Sequence, residues 1–330
     1  MTDKLRELIL KEYPNTLGLV VYRKGKKVIE EYFGSSHADA SAHVFSITKS
    51  IVSLLFGIAE DRGLLSVKDK VLKFFPDYEP KRRQPQLEEL TIEHLLTMTA
   101  PFKYRYDPWK KVCTSQDWGR TVLEFVGGKT AVGESFRYTT MGIQVLSDIF
   151  AAASGKSLNE FAEQELFKPL GIAPVPDAPI RDKASQREFS MATDLRGWAR
   201  DPVGNYTTGW GLSLTANDMA KIGQLVLEKG CFEGKRIVSE SYITRMTTEH
   251  TENYGYLWWL YPKGKPITIM KKTFPGCKMD TYCAQGVGGS LIAVIPEADV
   301  VISMLCSMKY APKPRFELIN DTLLPLVQGI

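Results

Sequence analysis

The chain has 330 residues, 44% of them hydrophobic and 24% charged, with a formal net charge of +4. That is the composition of a soluble globular chain with ample material for a core, in one large domain or two lobes. The small charge and the lack of a basic stripe exclude nucleic-acid binding, and the densest cluster, Lys81-Arg82-Arg83, reads as a surface loop among prolines.

In chain order, residues 3–12 read as a helix. Leu17–Tyr22 and Lys27–Phe33 are β-rich runs around Lys24-Gly25-Lys26, a hairpin signal. His43-Val44-Phe45-Ser46-Ile47-Thr48-Lys49-Ser50 leads into a run from Ile51 to Ala59 that is apolar nearly all round, with Gly63 as a natural stop. Asp69–Tyr78 carries a short apolar pattern, and Thr91–Met98 has helical spacing behind a threonine. Residues 101–118 read as a long loop, and 172–190 as another that borders a cleft. Gln144–Ala153, Leu158–Phe167, Asn217–Lys229 and Glu240–Thr247 are helical runs. The last third turns β-like, with Tyr254–Tyr261, Ser290–Ile295 and Val300–Leu305, before a final helix over about Pro314–Val327.

Strands at both ends with helices between predict an α+β fold. Residues 1–65 and 205–330 would form an α/β lobe, and 66–204 an inserted, mainly helical lobe, with the active site in the cleft between them. No stretch approaches the roughly 20 apolar residues of a membrane span. The start, Met1-Thr2-Asp3-Lys4-Leu5-Arg6, lacks the apolar region of a secretory signal. Five scattered cysteines (Cys113, Cys231, Cys277, Cys283, Cys306) fit reduced thiols better than disulfides or zinc. The expectation is a cytoplasmic protein with no metal, cofactor, nucleic-acid or membrane partner.

The chemistry centres on Ser46. Ser46 and Lys49 lie three apart on one face of a helix's first turn, within hydrogen-bonding reach. A hydroxyl there sits beside free backbone N–H groups and the positive end of the helix dipole. A buried amine tends toward its neutral form and can take the hydroxyl proton. The bland alternative is an N-cap serine with a solvated lysine, but an exposed helix would show a polar face and this one shows little.

Other stretches fall into line with this tetrad: Gly63-Leu64-Leu65 leading to Phe75-Pro76, Leu90–Thr99, Gly133-Glu134-Ser135-Phe136-Arg137-Tyr138, Gly209–Gly223, Tyr254–Trp259, and Gln285-Gly286-Val287-Gly288-Gly289. From about Leu17 to the C-terminus the ordered set resembles the class C β-lactamase-like and penicillin-binding-protein-like serine hydrolases, with their S-x-x-K motif. The resemblance implies a β-lactamase/transpeptidase-like fold, an antiparallel sheet flanked by helices. It implies Ser46 as the acylated nucleophile, Lys49 as its proton partner, and Tyr138 as the tyrosine of the family's Y-x-N motif. A phenol held near an ammonium would ionise readily and suit base work, whereas the commoner fate of such a tyrosine is core packing.

Two departures stand out. Thr140 replaces the asparagine of Y-x-N, so a substrate-binding amide is missing. Gln285-Gly286-Val287, expected at the start of a strand, replaces K-T-G, so the lysine that holds a β-lactam carboxylate is missing too. The glycine-rich version resembles the branch of 6-aminohexanoate-dimer hydrolases and related esterases, with the backbone N–H groups of Ser46 and Val287 as oxyanion hole. The bland alternative for Gly286-Val287-Gly288-Gly289 is a close-packed or bulged strand start. Trp210 and the loop from Tyr104 to Trp109 are the candidate walls of the substrate pocket.

The four histidines form no H-E-x-x-H pair, no serine sits in a G-x-S-x-G elbow, and His94 reads as a core residue. The expected activity is hydrolysis of small esters or amides, with β-lactamase action weak. The alternatives are a penicillin-binding module that is acylated without turnover and a D-amino-acid peptidase.

Overall fold

The two ends of the chain meet in one sheet. The computed structural model describes residues 3–80, 82–269, 272–308 and 313–329; Met1, Thr2 and Lys81 of the expectations above lie outside them. The sheet comprises β1 (Thr16–Arg23), β2 (Lys26–Tyr32), β3 (Trp259–Tyr261), β4 (Thr281–Gln285), β5 (Leu291–Ile295) and β6 (Val300–Cys306). Their order is β2-β1-β6-β5-β4-β3, antiparallel throughout. The β1–β2 connection is the two-residue turn Lys24-Gly25, both at positive φ (50° and 69°), whose twist matches the strands it joins. Among the described residues, 66–204 contribute no strand longer than an isolated bridge.

Side chains alternate across the sheet. Val20 and Val301 face a large core shared with α2 (Ile47–Asp61), α3 (Val145–Ser154) and α4 (Ala216–Leu227). Leu19, Val21 and Ile302 face a smaller one closed by α1 (Asp3–Glu12) and the C-terminal helical segment. Helix α2 is buried at every position from Ile47 to Ala59, as its all-round apolar sequence requires. A capping box at its start, Thr215 with Asp218, fixes where α4 begins. Its Gly223 rests directly on Val301 and Ile292, where a Cβ would overlap both.

Several expectations need correction. The stretch read as a loop at 172–190 contains most of a helix, Lys183–Met191, capped by Asp182 with Ser185. Only Phe189 of it is buried, so there was no apolar period to read. Short helices at Pro85–Glu89, Trp109–Cys113 and Trp118–Leu123 were hidden for the same reason of length. The final helix is broken by a π-turn, Ile319–Leu323, ahead of Pro325, which has no N–H to continue the ladder. His94 is not a core residue: half-buried, it caps its own helix, its Nδ1 accepting from the Thr91 N–H at 3.2 Å. Gln285 ends β4 instead of starting a strand, and Gly286–Gly289 forms the tight turn into β5.

Candidate active site

A sharp backbone turn presents Ser46. Ala42–His43 pairs with Ser213–Leu214, and the Val44 N–H donates to Leu212 O at 2.9 Å. Phe45 then adopts the left-handed region (φ 50°), uncommon for a bulky residue, and the chain enters α2 with Ser46 as N-cap. Thr48 locks the turn, its Oγ1 donating to Phe45 O at 2.7 Å and accepting from the Leu212 N–H at 3.3 Å. Ser46 makes no side-chain cap bond, which leaves its hydroxyl to Lys49.

Lys49 is 1% exposed. Its Nζ donates to Gly209 O at 2.6 Å, and lies 3.1 Å from Ser46 Oγ and 3.2 Å from Thr140 Oγ1. No carboxylate among the described residues hydrogen-bonds to it. Burial drives its pKa down to about 7, with the negative charge of Asp107 pulling the other way. The neutral amine present above that pH can accept a proton from the Ser46 hydroxyl. Gly209 is a glycine because a Cβ would sit 2.6 Å from Thr140 O.

Tyr138 reaches the same hydroxyl. Its ring is 37% exposed, stacked on Trp259 (5.5 Å between centroids) and edge-on to the buried Tyr254. Crowding by protein pushes the phenol up, to about 12, although its hydrogen bond with Ser46 lowers it. Lys49 Nζ lies over the ring face, 5.0 Å from its centroid. The phenol therefore stays protonated at neutral pH, contrary to the expectation of a readily ionised tyrosine: desolvation, with the charge of Asp107 adding to it, outweighs the Ser46 hydrogen bond. The low-pKa partner of Ser46 is Lys49.

The other anticipated residues divide. Thr140 is present at the site, but its hydroxyl serves Lys49. Gly286 packs on the start of the Ser46 turn, where a Cβ would overlap the Val44 carbonyl, which brings the exposed Val287 (55%) beside it. Gln285 donates to Tyr261 Oη at 2.9 Å, a neutral pair where the related motif carries a cation. Trp210 is 5% exposed and stands behind Trp109, which packs edge-on against it and is 40% exposed. Of the two rings, Trp109 reaches the surface and Trp210 does not.

No histidine hydrogen-bonds to Ser46 among the described residues. His43 is the nearest in sequence, but burial holds it neutral, near 3, and its Nε2 accepts from the Gly211 N–H at 2.8 Å. Sequence reading missed Asp107, whose carboxylate grips the segment carrying Tyr138 and Thr140. Its only local signal is an Asp-Pro pair in an aromatic loop. All five cysteines are free thiols, no group of three metal-ligating side chains is present among the described residues, and no described helix is long and apolar enough to cross a membrane.

The sheet, the helices on its faces and a serine–lysine pair opening a buried helix define a β-lactamase/transpeptidase-like protein. The Beta-lactamase family model matches residues 9–323, and the chain belongs to that family. It is 26% identical to an uncharacterised protein of Alkalihalophilus pseudofirmus over 83% of this chain and 78% of that one. It is 24% identical to the 6-aminohexanoate-dimer hydrolase of Paenarthrobacter ureafaciens over 67% of this chain, spanning about half (54%) of that enzyme. In fold it matches a putative β-lactamase of Bacteroides dorei with a TM-score of 0.74 at 17% identity, covering 98% of this chain and 97% of that one.

Proposed function

We propose that the protein is a serine hydrolase that turns over small esters or short linear amides through an acyl-enzyme on Ser46. The observation that carries this reading is the buried, uncompensated Lys49 amine, 3.1 Å from Ser46 Oγ and neutral above about pH 7. Ser46 Oγ adds to the substrate carbonyl as its proton passes to Lys49. The oxyanion is held by the backbone N–H groups of Ser46 and Val287, each such donor commonly worth about 3 kcal/mol. The Tyr138 hydroxyl hands a proton to the leaving group and recovers from Lys49 the proton that the amine took from Ser46. Water then adds to the acyl carbon with the same groups reversing their roles.

Neutral substrates fit best, because Gln285 and Tyr261 stand where a β-lactam carboxylate would seek a cation. Relatives named as hydrolases of an amide dimer and of D-alanyl peptides support acyl transfer of this general kind. The competing reading is a penicillin-binding module that is acylated without turnover. It draws on Thr140 and Gln285, which leave the site short of two of the substrate-holding groups of its relatives.

The test is hydrolysis of a short-chain p-nitrophenyl ester by the wild type and by Ser46→Ala, with intact mass after exposure to a β-lactam. Turnover that collapses in the variant supports the hydrolase. Equal turnover in both sinks Ser46 as nucleophile. No turnover together with a stable β-lactam adduct supports the binding module.

A further inference from the structure

Asp107 lies in the loop that precedes the short helix Trp109–Cys113, far in sequence from Ser46, Lys49 and Tyr138. Its oxygens are spread over three donors of one segment. Oδ1 accepts from Thr139 Oγ1 at 2.5 Å, and Oδ2 from the backbone N–H groups of Thr140 at 2.7 Å and Met141 at 3.2 Å. Thr139 is buried and is also tied to Tyr104, Oη to Oγ1 at 2.8 Å. The segment so gripped carries Tyr138 on one side and, at Thr140, an oxygen that accepts from Lys49. One residue thus separates the carboxylate from the amine.

We propose that Asp107 is a positioning residue for acyl transfer: it clamps residues 138–141 against α2 and, through its negative charge, sets the pH at which Lys49 works. The proposal rests on the reading of Ser46 and Lys49 as the acyl-transfer pair. A carboxylate that only stapled a loop would need no particular place relative to Lys49, whereas this one raises the amine's proton affinity against the effect of burial. Lys49 faces Ser46 on its own helix, Tyr138 and Thr140 on the clamped segment, and the Gly209 carbonyl opposite. Tyr138 stays uncharged at neutral pH and His43, beyond Phe45, is neutral, so Asp107 is the charge that acts on the amine among the described residues.

The experiment compares the pH dependence of kcat/KM for p-nitrophenyl butyrate in the wild type, Asp107→Asn, Asp107→Glu and Ser46→Ala, with thermal unfolding of each. Asparagine keeps an acceptor and removes the charge. The acid-limb midpoint should fall by about half a pH unit, as expected for loss of a nearby opposite charge, and kcat by about tenfold from the loosened clamp. Glutamate keeps the charge but displaces it. The midpoint should stay at the wild-type value while kcat falls.

An unmoved midpoint in Asp107→Asn, or wild-type kcat in both variants, overturns the proposal. Should Asp107→Asn not fold, Asp107→Glu decides: a tenfold lower kcat at an unchanged midpoint supports the clamp, and wild-type kcat overturns it. Failure of the acyl-transfer reading itself shows separately, as wild-type turnover by Ser46→Ala.

Discussion

Lys49 is a residue the fold would be more stable without. The unfolded chain binds its proton below the ordinary lysine value of 10.5, the folded chain only below about 7. Between those values the unfolded state holds more protons, so stability rises with pH across that window and the deficit is complete below 7. A shift of this size corresponds to on the order of 5 kcal/mol. Lys49→Met removes the titration but leaves the Gly209 carbonyl without its donor, which returns part of the gain. The expected outcome at pH 6 is a protein more stable by about 2 kcal/mol, its melting point raised by about 3 °C, and inactive toward esters. Calorimetry between pH 6 and 10 checks the sign, since the advantage should shrink as pH rises. A variant less stable than wild type at pH 6 would show that Lys49 is held charged. A matching prediction concerns the wild type: kcat/KM should climb with pH to a plateau, with a midpoint near 7. Ser46, Lys49 and Tyr138 were legible in sequence because one short helical turn and one short motif carry them. Asp107 was not, because only folding brings its loop to Lys49. That Trp210 lies behind Trp109 was not legible either, because sequence records that residues are apolar and not which of two packed rings reaches the surface.

At the scale of elements, the contact between the β4–β5 turn and the start of α2 sets the site. The turn is pinned by Gly286 N–H donating to Ser290 O at 2.8 Å and Gly289 N–H to Gly286 O at 3.1 Å, with Gly288 and Gly289 both at positive φ. On its outer side the Asn15 Nδ2 donates to Gly288 O at 2.6 Å, so β1's leading residue also holds it. Gly286 is where this turn meets the Val44 backbone, and a Cβ there must push the two apart. Gly286→Val should therefore lower kcat by about 100-fold, the order expected when an oxyanion donor is lost, and, because the Val44 it displaces is a core residue, cost about 1–3 kcal/mol of stability. Single-turnover acylation would read this directly, and an unaltered rate would remove Val287 from the oxyanion hole. Which elements could be read in advance follows from their burial. Helix α2, α4 and strands β1, β5 and β6 are buried along their length and announced themselves as apolar runs. The helix Lys183–Met191 hides one side chain, and its capping box of Asp182 and Ser185 was its only signature.

For the whole molecule, the arrangement of the core decides how it comes apart. The chain leaves the sheet after β2, runs through helices that contribute no strand to it, and returns to complete it. Such a path invites the picture of two lobes that melt separately. The apolar contacts argue otherwise: one continuous cluster joins Val20 and Val301 of the sheet, Ile51 and Leu54 of α2, and Leu96, Phe150 and Trp198 of the inserted segment. Helix α2 is the shared member, buried on every side between Ile47 and Ala59, so neither part keeps its core if the other unfolds. Ser46 sits at the start of this same helix, so the proposed nucleophile is mounted on the element both parts need. Urea unfolding should accordingly be one transition. Tryptophans on the two sides provide the reporters, Trp118 and Trp198 in the inserted segment and Trp258 and Trp259 beside and within the sheet. Replacing either pair by phenylalanine leaves fluorescence weighted toward the other side, and the two midpoints, each referred to far-UV circular dichroism of the same variant, should coincide with it. A fluorescence midpoint displaced from the circular dichroism midpoint in either variant would mean that α2 belongs to one lobe alone, and that the cleft can open without the sheet giving way.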